Sequence, residues 1–176
     1  MLAERLIQDD EEQLENKKIG VILGKAETEE SVDRIAGLKD GLEGSGWGIF
    51  WEGNYARGNQ NTSEIIASKK QVDYLVILDN WALEEVGEAA EENKYHGAKI
   101  YGVGSSEKAI VLLDNQNIEC LVVPDDYETG YMSMNEIAKK LRHSFYKMNS
   151  CETEVRIINK EDLYSKDLER FLYSYE

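Results

Sequence analysis

The chain has 176 residues, 41% of them hydrophobic and 31% charged, which is enough apolar material to bury one core. A formal net charge of −15 argues against nucleic-acid binding by this chain, because phosphate contacts need clustered Lys and Arg. No apolar run approaches the roughly 18 residues of a membrane span, and Met1 to Gln8 lacks the basic-then-apolar pattern of a secretory signal.

In chain order, Leu2, Leu6 and Ile7 predict an amphipathic first helix reaching about Glu15. Ile19 to Gly24 (IGVILG) is apolar at successive positions, the pattern of a strand buried on both faces, and Gly24 to Thr28 reads as a loop at its carboxyl end. Ser31 opens a helix with Ile35, Leu38 and Leu42 inward and Gly44-Ser45-Gly46 as its stop. A strand at Trp47 to Trp51 runs into a polar loop, Glu52 to Asn61, and then into a helix carrying Ile65, Ile66 and Ala67.

The central stretch is Val72 to Ala90 (VDYLVILDNWALEEVGEAA). Its apolar run stops abruptly at Asp79-Asn80, and helical spacing follows at Leu83, Val86, Ala89 and Ala90, ending over Asn93 to Gly97. Polar side chains at the carboxyl end of a parallel strand sit where open α/β sheets bind ligands. Either residue would equally serve as the cap that a strand-to-helix turn requires. Then come a strand at Ala98 to Val103, a short helix at Ala109 to Leu113, and a strand at Ile118 to Val123 stopped by Pro124, the only proline. Tyr127 to about Phe145 has helical spacing at Met134, Ile137, Leu141 and Phe145. The tail offers a strand at Val155 to Ile158 and a short helix from Lys166 to Tyr173. This alternation predicts an α/β fold, a three-layer doubly wound and mainly parallel sheet.

Motifs for chemistry are few. Neither GxGxxG after a strand nor GxxxxGK[ST] occurs, and there is no GxSxG elbow. Cys120 and Cys151 are too few for a disulfide framework and have no zinc spacing; Cys120 reads as a small buried hydrophobe. His96 and His143 lack a visible partner for general-base work. Asp125-Asp126 follows a buried strand, but adjacent residues on extended chain point apart. A receiver-type phosphorylation domain would need an acidic pair after the first strand, where Gly24-Lys25 stands instead. The residues therefore favour binding over catalysis, with no cofactor.

Six segments in series are more specific than any one of them. KKIGVILG, VDRIAGLKDGLEGSG, WEGNY, DYLVILDNWALEEVGEA, AKIYGVG and LVVPDDYETGY resemble the carboxyl-terminal two-thirds of type I periplasmic sugar-binding proteins, over Leu2 to about Leu141. That family comprises sugar-import receptors and the effector domains of lac-repressor-like regulators. The tail VRIINKEDLYSKDLERFLYS looks more like the ends of sugar-import receptors from Gram-positive bacteria.

The resemblance implies two lobes joined by three hinge strands, with sugar held in the cleft between them. Residues 1–124 would form the distal lobe, 125–150 a hinge and a helix that packs on the first lobe, and 151–176 a carboxyl-terminal strand and tail. Leu2–Glu15 resembles a helix that follows a first lobe, so the chain is expected to be cut from a longer protein; a one-lobed relative is the alternative. The implied function is non-catalytic sugar binding for an ABC import system, with a membrane permease as partner and a location outside the cell or anchored on its outer face. The alternative is the cytoplasmic effector domain of a repressor, and an enzyme on the same fold is the reading from another class. With the first lobe missing, the apolar face of the 127–145 helix is expected to support a homodimer, including by swapping.

Carried over residue by residue, the resemblance assigns Arg34 (in DRIAG) to sugar hydroxyls, which suit its planar fork of donors. A surface ion pair with Asp33, Glu29 or Glu30 is the plainer role for it. Tyr55 (in EGNY) matches an aromatic packed on the sugar ring. Asp79 matches a hydroxyl-accepting residue at the central strand end, with Asn80 and Trp81 beside it. Two positions depart from the family pattern. Gly104 stands where many members carry aspartate, and Pro124 stands where many carry glutamine, leaving Ser105 and Asp125, one position away, to compensate. The implied ligand is less hydroxylated than a common hexose, or is not a sugar.

Overall fold

The computed structural model describes residues 1–10, 16–25, 28–58, 61–90 and 95–172. Helix α1 (Leu2–Gln8) leads to strand β1 (Lys18–Leu23), and then come α2 (Glu29–Leu42), β2 (Gly48–Asn54) and α3 (Thr62–Ala67). The central pair is β3 (Tyr74–Ile77) and α4 (Asn80–Ala90), followed by β4 (Lys99–Val103), α5 (Glu107–Asp114), β5 (Cys120–Pro124) and α6 (Asp126–Arg142). Strand β6 (Val155–Ile158), two short 3-10 turns and α7 (Glu169–Leu172) end the described chain. The strands form one sheet in the order β2-β1-β3-β4-β5-β6, parallel throughout except for β6, which pairs antiparallel with β5.

Strand alternation divides the core between the two faces. Ile22, Leu75, Ile77, Ile100, Leu121 and Val123 pack against residues of α3, α4 and α5. Ile19, Val21, Leu23, Tyr74, Val76 and Tyr101 face the other way, toward Leu6 of α1 and Leu38 and Leu42 of α2. The long apolar runs therefore mark strands covered on both sides, as the doubly wound reading requires. Trp47 stacks on Tyr74 with ring centroids 4.9 Å apart, closing the end of the second face. Burial raises the Tyr74 hydroxyl to about 12, the charge of Asp10 adding to the effect.

Several boundaries differ from the sequence expectation, each for a local reason. Helix α2 starts at Glu29 because Thr28, not Ser31, is its cap; the Thr28 side chain accepts from Ser31 N–H. Strand β2 runs three residues past Trp51, since its whole length pairs with β1, and an edge strand tolerates the exposed Glu52 and Asn54. Pro124 lies inside β5, opposite Val155 of β6, rather than beyond its end. Helix α6 stops at Arg142, short of Phe145. The tail is mostly 3-10 turns, because Asn159 and Asp162 form a reciprocal cap that starts a tight turn at Lys160. The expected extension of the first helix over 11–15, the loop at 26–27, the helix end at 93–94 and Tyr173 lie outside the described residues.

Candidate functional site

Strand order reverses between β1 and β3, which makes their carboxyl ends the topological switch point of the sheet. Gly24 follows β1 and Asp79 follows β3, and a Cβ on Gly24 would lie 2.9 Å from Oδ2 of Asp79. Glycine at 24 thus leaves room for the carboxylate. The other oxygen of Asp79, Oδ1, accepts from Ala82 N–H at 2.9 Å, so the side chain also caps α4.

Asn80 bridges to the next strand end. Its Oδ1 accepts from Ser105 N–H at 3.2 Å and Ser106 N–H at 3.4 Å, while its Nδ2 donates to Glu84 at 3.0 Å. A Cβ on Gly104 would stand 2.5 Å from that Oδ1. Glycine at 104 thus leaves room for the Asn80 side chain. Ser105 in turn donates its hydroxyl to Asp126 at 2.7 Å, linking the ends of β4 and β5. Asp125 is buried, and its Oδ1 accepts from Glu128 N–H at 2.8 Å as the cap of α6.

Arg34 reaches the same edge from α2. It donates to the Leu78 carbonyl at 2.7 Å and pairs with Glu30 at 2.5 Å, which is the ion pair expected of it as a surface residue. Tyr55 follows β2, but its ring is buried in the core and its hydroxyl donates to Glu85 at 2.7 Å. Burial first, and then the Glu85 carboxylate, push the Tyr55 hydroxyl up to about 12. Glu85 also accepts Thr62 N–H at 3.1 Å, so it ties the end of β2 and the start of α3 to α4.

Trp81 is an open aromatic at this edge, 49% exposed, with the Arg57 guanidinium 4.5 Å above its ring centroid. All seven predicted positions thus come to the carboxyl edge of the sheet. Asp79, Asn80, Trp81, Ser105 and Asp125 stand on consecutive strand ends, Arg34 beside them, and Tyr55 beneath. Glu85 and Arg57 were not singled out by sequence, and Asp126 was singled out only as a carboxylate pair with Asp125 and not as the partner of Ser105. Glu85 is one acid among many, and no spacing rule relates positions 55 and 85. A cavity of about 360 Å³ between Trp51, Ile66 and Tyr95 is lined by none of the seven. Among the described residues no group of three or more His, Cys, Asp or Glu is placed to hold a metal ion. None of the described helices is long and apolar enough to cross a membrane.

Known proteins give the arrangement a context. A solute-binding protein of a carbohydrate transporter from Agrobacterium radiobacter, solved with D-arabinose, superposes with a TM-score of 0.79 at 19% identity, covering 98% of this chain and 60% of that one. An ABC transporter solute-binding protein from Agrobacterium vitis with bound D-fucose gives 0.80 at 18% identity, with the same two coverages. A glucose-galactose binding protein from Geobacillus stearothermophilus gives 0.77 at 19% identity, over 92% and 59%. Identities this low establish the fold, and the chain spans about 60% of the length of these structures. No curated protein sequence matches significantly. The family model for the periplasmic binding protein domain matches residues 1–144. With that match over most of its length, and a sheet of the same architecture, the chain belongs to the periplasmic binding protein domain family.

Proposed function

We propose that this chain is the distal lobe of a receptor that binds a small sugar, without catalysis, for an ABC import system acting from outside the cell membrane. The observation that carries the reading is the row of polar groups along the switch-point edge, Asp79, Asn80, Ser105 and Asp126, beside the open Trp81–Arg57 stack. Alternating acceptors and donors suit ring hydroxyls, and an exposed indole suits the apolar C–H face of a pyranose or furanose. Arg34 has two nitrogens committed to Leu78 and Glu30 and would orient the rim around Asp79. Tyr55 would act through Glu85, by fixing α4 beneath Trp81.

The chain leaves this lobe at Asp125 and returns at Glu154, and Asp125 N–H donates to the Glu154 carbonyl at 3.0 Å. Two adjacent crossings of that kind suit a hinge, with ligand contact to both lobes favouring the closed form. One lobe offers half the contacts, and losing about 3 kcal/mol weakens affinity more than a hundredfold. The exposed face of α6 would dock on the first lobe of such a receptor, and self-association, including swapping, is the alternative for this chain by itself.

The test follows the indole N–H resonance of Trp81 while the chain is titrated with D-arabinose, D-fucose, glucose and galactose. Weak saturable shifts, lost in Trp81→Ala, are expected. Tight binding by this chain alone would refute the half-site reading, and no shift with any of the four would refute the sugar reading.

A further inference from the structure

The cavity of about 360 Å³ is bounded by the apolar side chains of Trp51, Ile66, Val72, Leu75 and Tyr95. Val72 and Ala98, which also lines it, stand just before β3 and β4. The cavity therefore opens at the amino edge of the sheet, opposite the rim of Asp79, Asn80 and Ser105. Its aromatic walls are held by the fold. A Cβ on Gly20 would run into the Trp51 indole, so glycine at 20 lets that ring lie over β1. The indole Nε1–H donates to the Lys70 carbonyl at 2.8 Å. Tyr95 is buried, with its hydroxyl 3.5 Å from Ser63 Oγ. A space of this size takes a small organic molecule, and walls fixed beforehand lower the cost of binding one.

The mouth is positively charged. Lys69 and Lys70 line the cavity, and an adjoining open hollow of about 350 Å³ shares Val72, His96 and Ala98 with it and adds Lys99. Acids outnumber Lys and Arg by 35 to 20 in this chain. Even so, none of these three lysines has a carboxylate partner among the described residues. Of the carboxylates lining the hollow, Asp10 pairs with Lys17 at 3.5 Å and Asp73 accepts from Lys18 N–H at 2.8 Å. We propose that the cavity is a second ligand site, for a small organic anion with a flat apolar body, of the aryl carboxylate class. The ring enters between Trp51 and Tyr95, where apolar and aromatic surface receives it. The carboxylate stays at the mouth beside Lys69 and Lys70, partly hydrated, so its charge is not buried unpaired. A cation of the same shape meets like charges there.

The inference is independent of the sugar reading, because Trp51 reports this cavity and Trp81 reports the rim. The indole N–H resonances of the whole chain, assigned with Trp47→Phe and Trp81→Phe, are followed during separate titrations with 1-naphthoate and 1-naphthylmethylamine. Far-ultraviolet dichroism checks that each variant folds. The carboxylate is expected to move the Trp51 resonance saturably and to bind at least ten-fold more tightly than the amine. Changing Lys69→Glu and Lys70→Glu together is expected to weaken the carboxylate at least ten-fold. Ala67→Phe, at an exposed position of α3 that lines the cavity, is expected to block it. No saturable shift at Trp51, a shift confined to Trp81, or binding undiminished by Ala67→Phe would overturn the site. Equal affinity for carboxylate and amine, or indifference of the lysine variant, would overturn the anionic class and with it the proposal.

Discussion

The Tyr55 hydroxyl donates to Glu85 at 2.7 Å from inside the core, tying the end of β2 to the middle of α4. Tyr55→Phe keeps the packing and removes the donor, leaving Glu85 with Thr62 N–H. The expected loss is about 1–3 kcal/mol, read from the denaturant midpoint at constant slope. Glu85→Gln is expected to lose less, since it retains an acceptor for the hydroxyl.

Tyr55 and Tyr74 are each raised to about 12 in the fold from an ordinary value of 10. A raised value means that the folded state holds the proton more tightly. The stabilisation is therefore complete below pH 10 and is lost as pH rises toward about 12. Ultraviolet difference absorbance is expected to show tyrosines ionising in two stages, the later one together with unfolding. Ionisation of all ten tyrosines in one step near pH 10, with the fold intact, would contradict this.

Gly104 and Asn80 form a coupled pair. Gly104→Ala forces a Cβ to within 2.5 Å of Asn80 Oδ1 and is expected to cost about 1–3 kcal/mol. Asn80→Ala relieves that clash, so the double variant is expected to be more stable than the summed single losses predict. Thermal unfolding of the four proteins measures the coupling, and strict additivity would show that the loop at 104 moves aside.

Asp125→Ala removes the cap on α6 and is expected to cost about 1–2 kcal/mol, with loss of helical dichroism from α6 ahead of the sheet. Asp125→Asn, which retains an acceptor, is expected to recover most of it. Equal losses from both variants would show that the charge, and not the cap, matters.

Cys120 is buried and its thiol is pushed up to about 12, chiefly by burial, whereas Cys151 is exposed. A thiol reagent is expected to label one cysteine per native chain, at Cys151, and two after denaturation. Labelling of Cys120 at the native rate of Cys151 would mean that the sheet opens near β5.

The rim was legible in part because strand ends announce themselves. Asp79, Asn80, Ser105 and Asp125 each follow an apolar run, and a parallel sheet brings such ends to one edge. The behaviour of Tyr55 was not legible. EGNY reads as loop, but the pairing of β2 with β1 continues to Asn54 and the Tyr55 N–H bonds Leu23, turning the ring into the core. Trp81 and Arg57 meet across twenty-three intervening positions, and nothing in either segment signals the contact.

By itself the sequence determined the number and kind of central elements, the two-sided burial of the sheet and the edge where a ligand would sit, because hydrophobic period and strand ends are local properties. Only the tertiary structure decided the strand order, the spending of Tyr55 on Glu85, and the room Gly104 makes for Asn80. Those depend on which distant segments meet, and the pairing of segments far apart in the chain leaves no mark on either one alone.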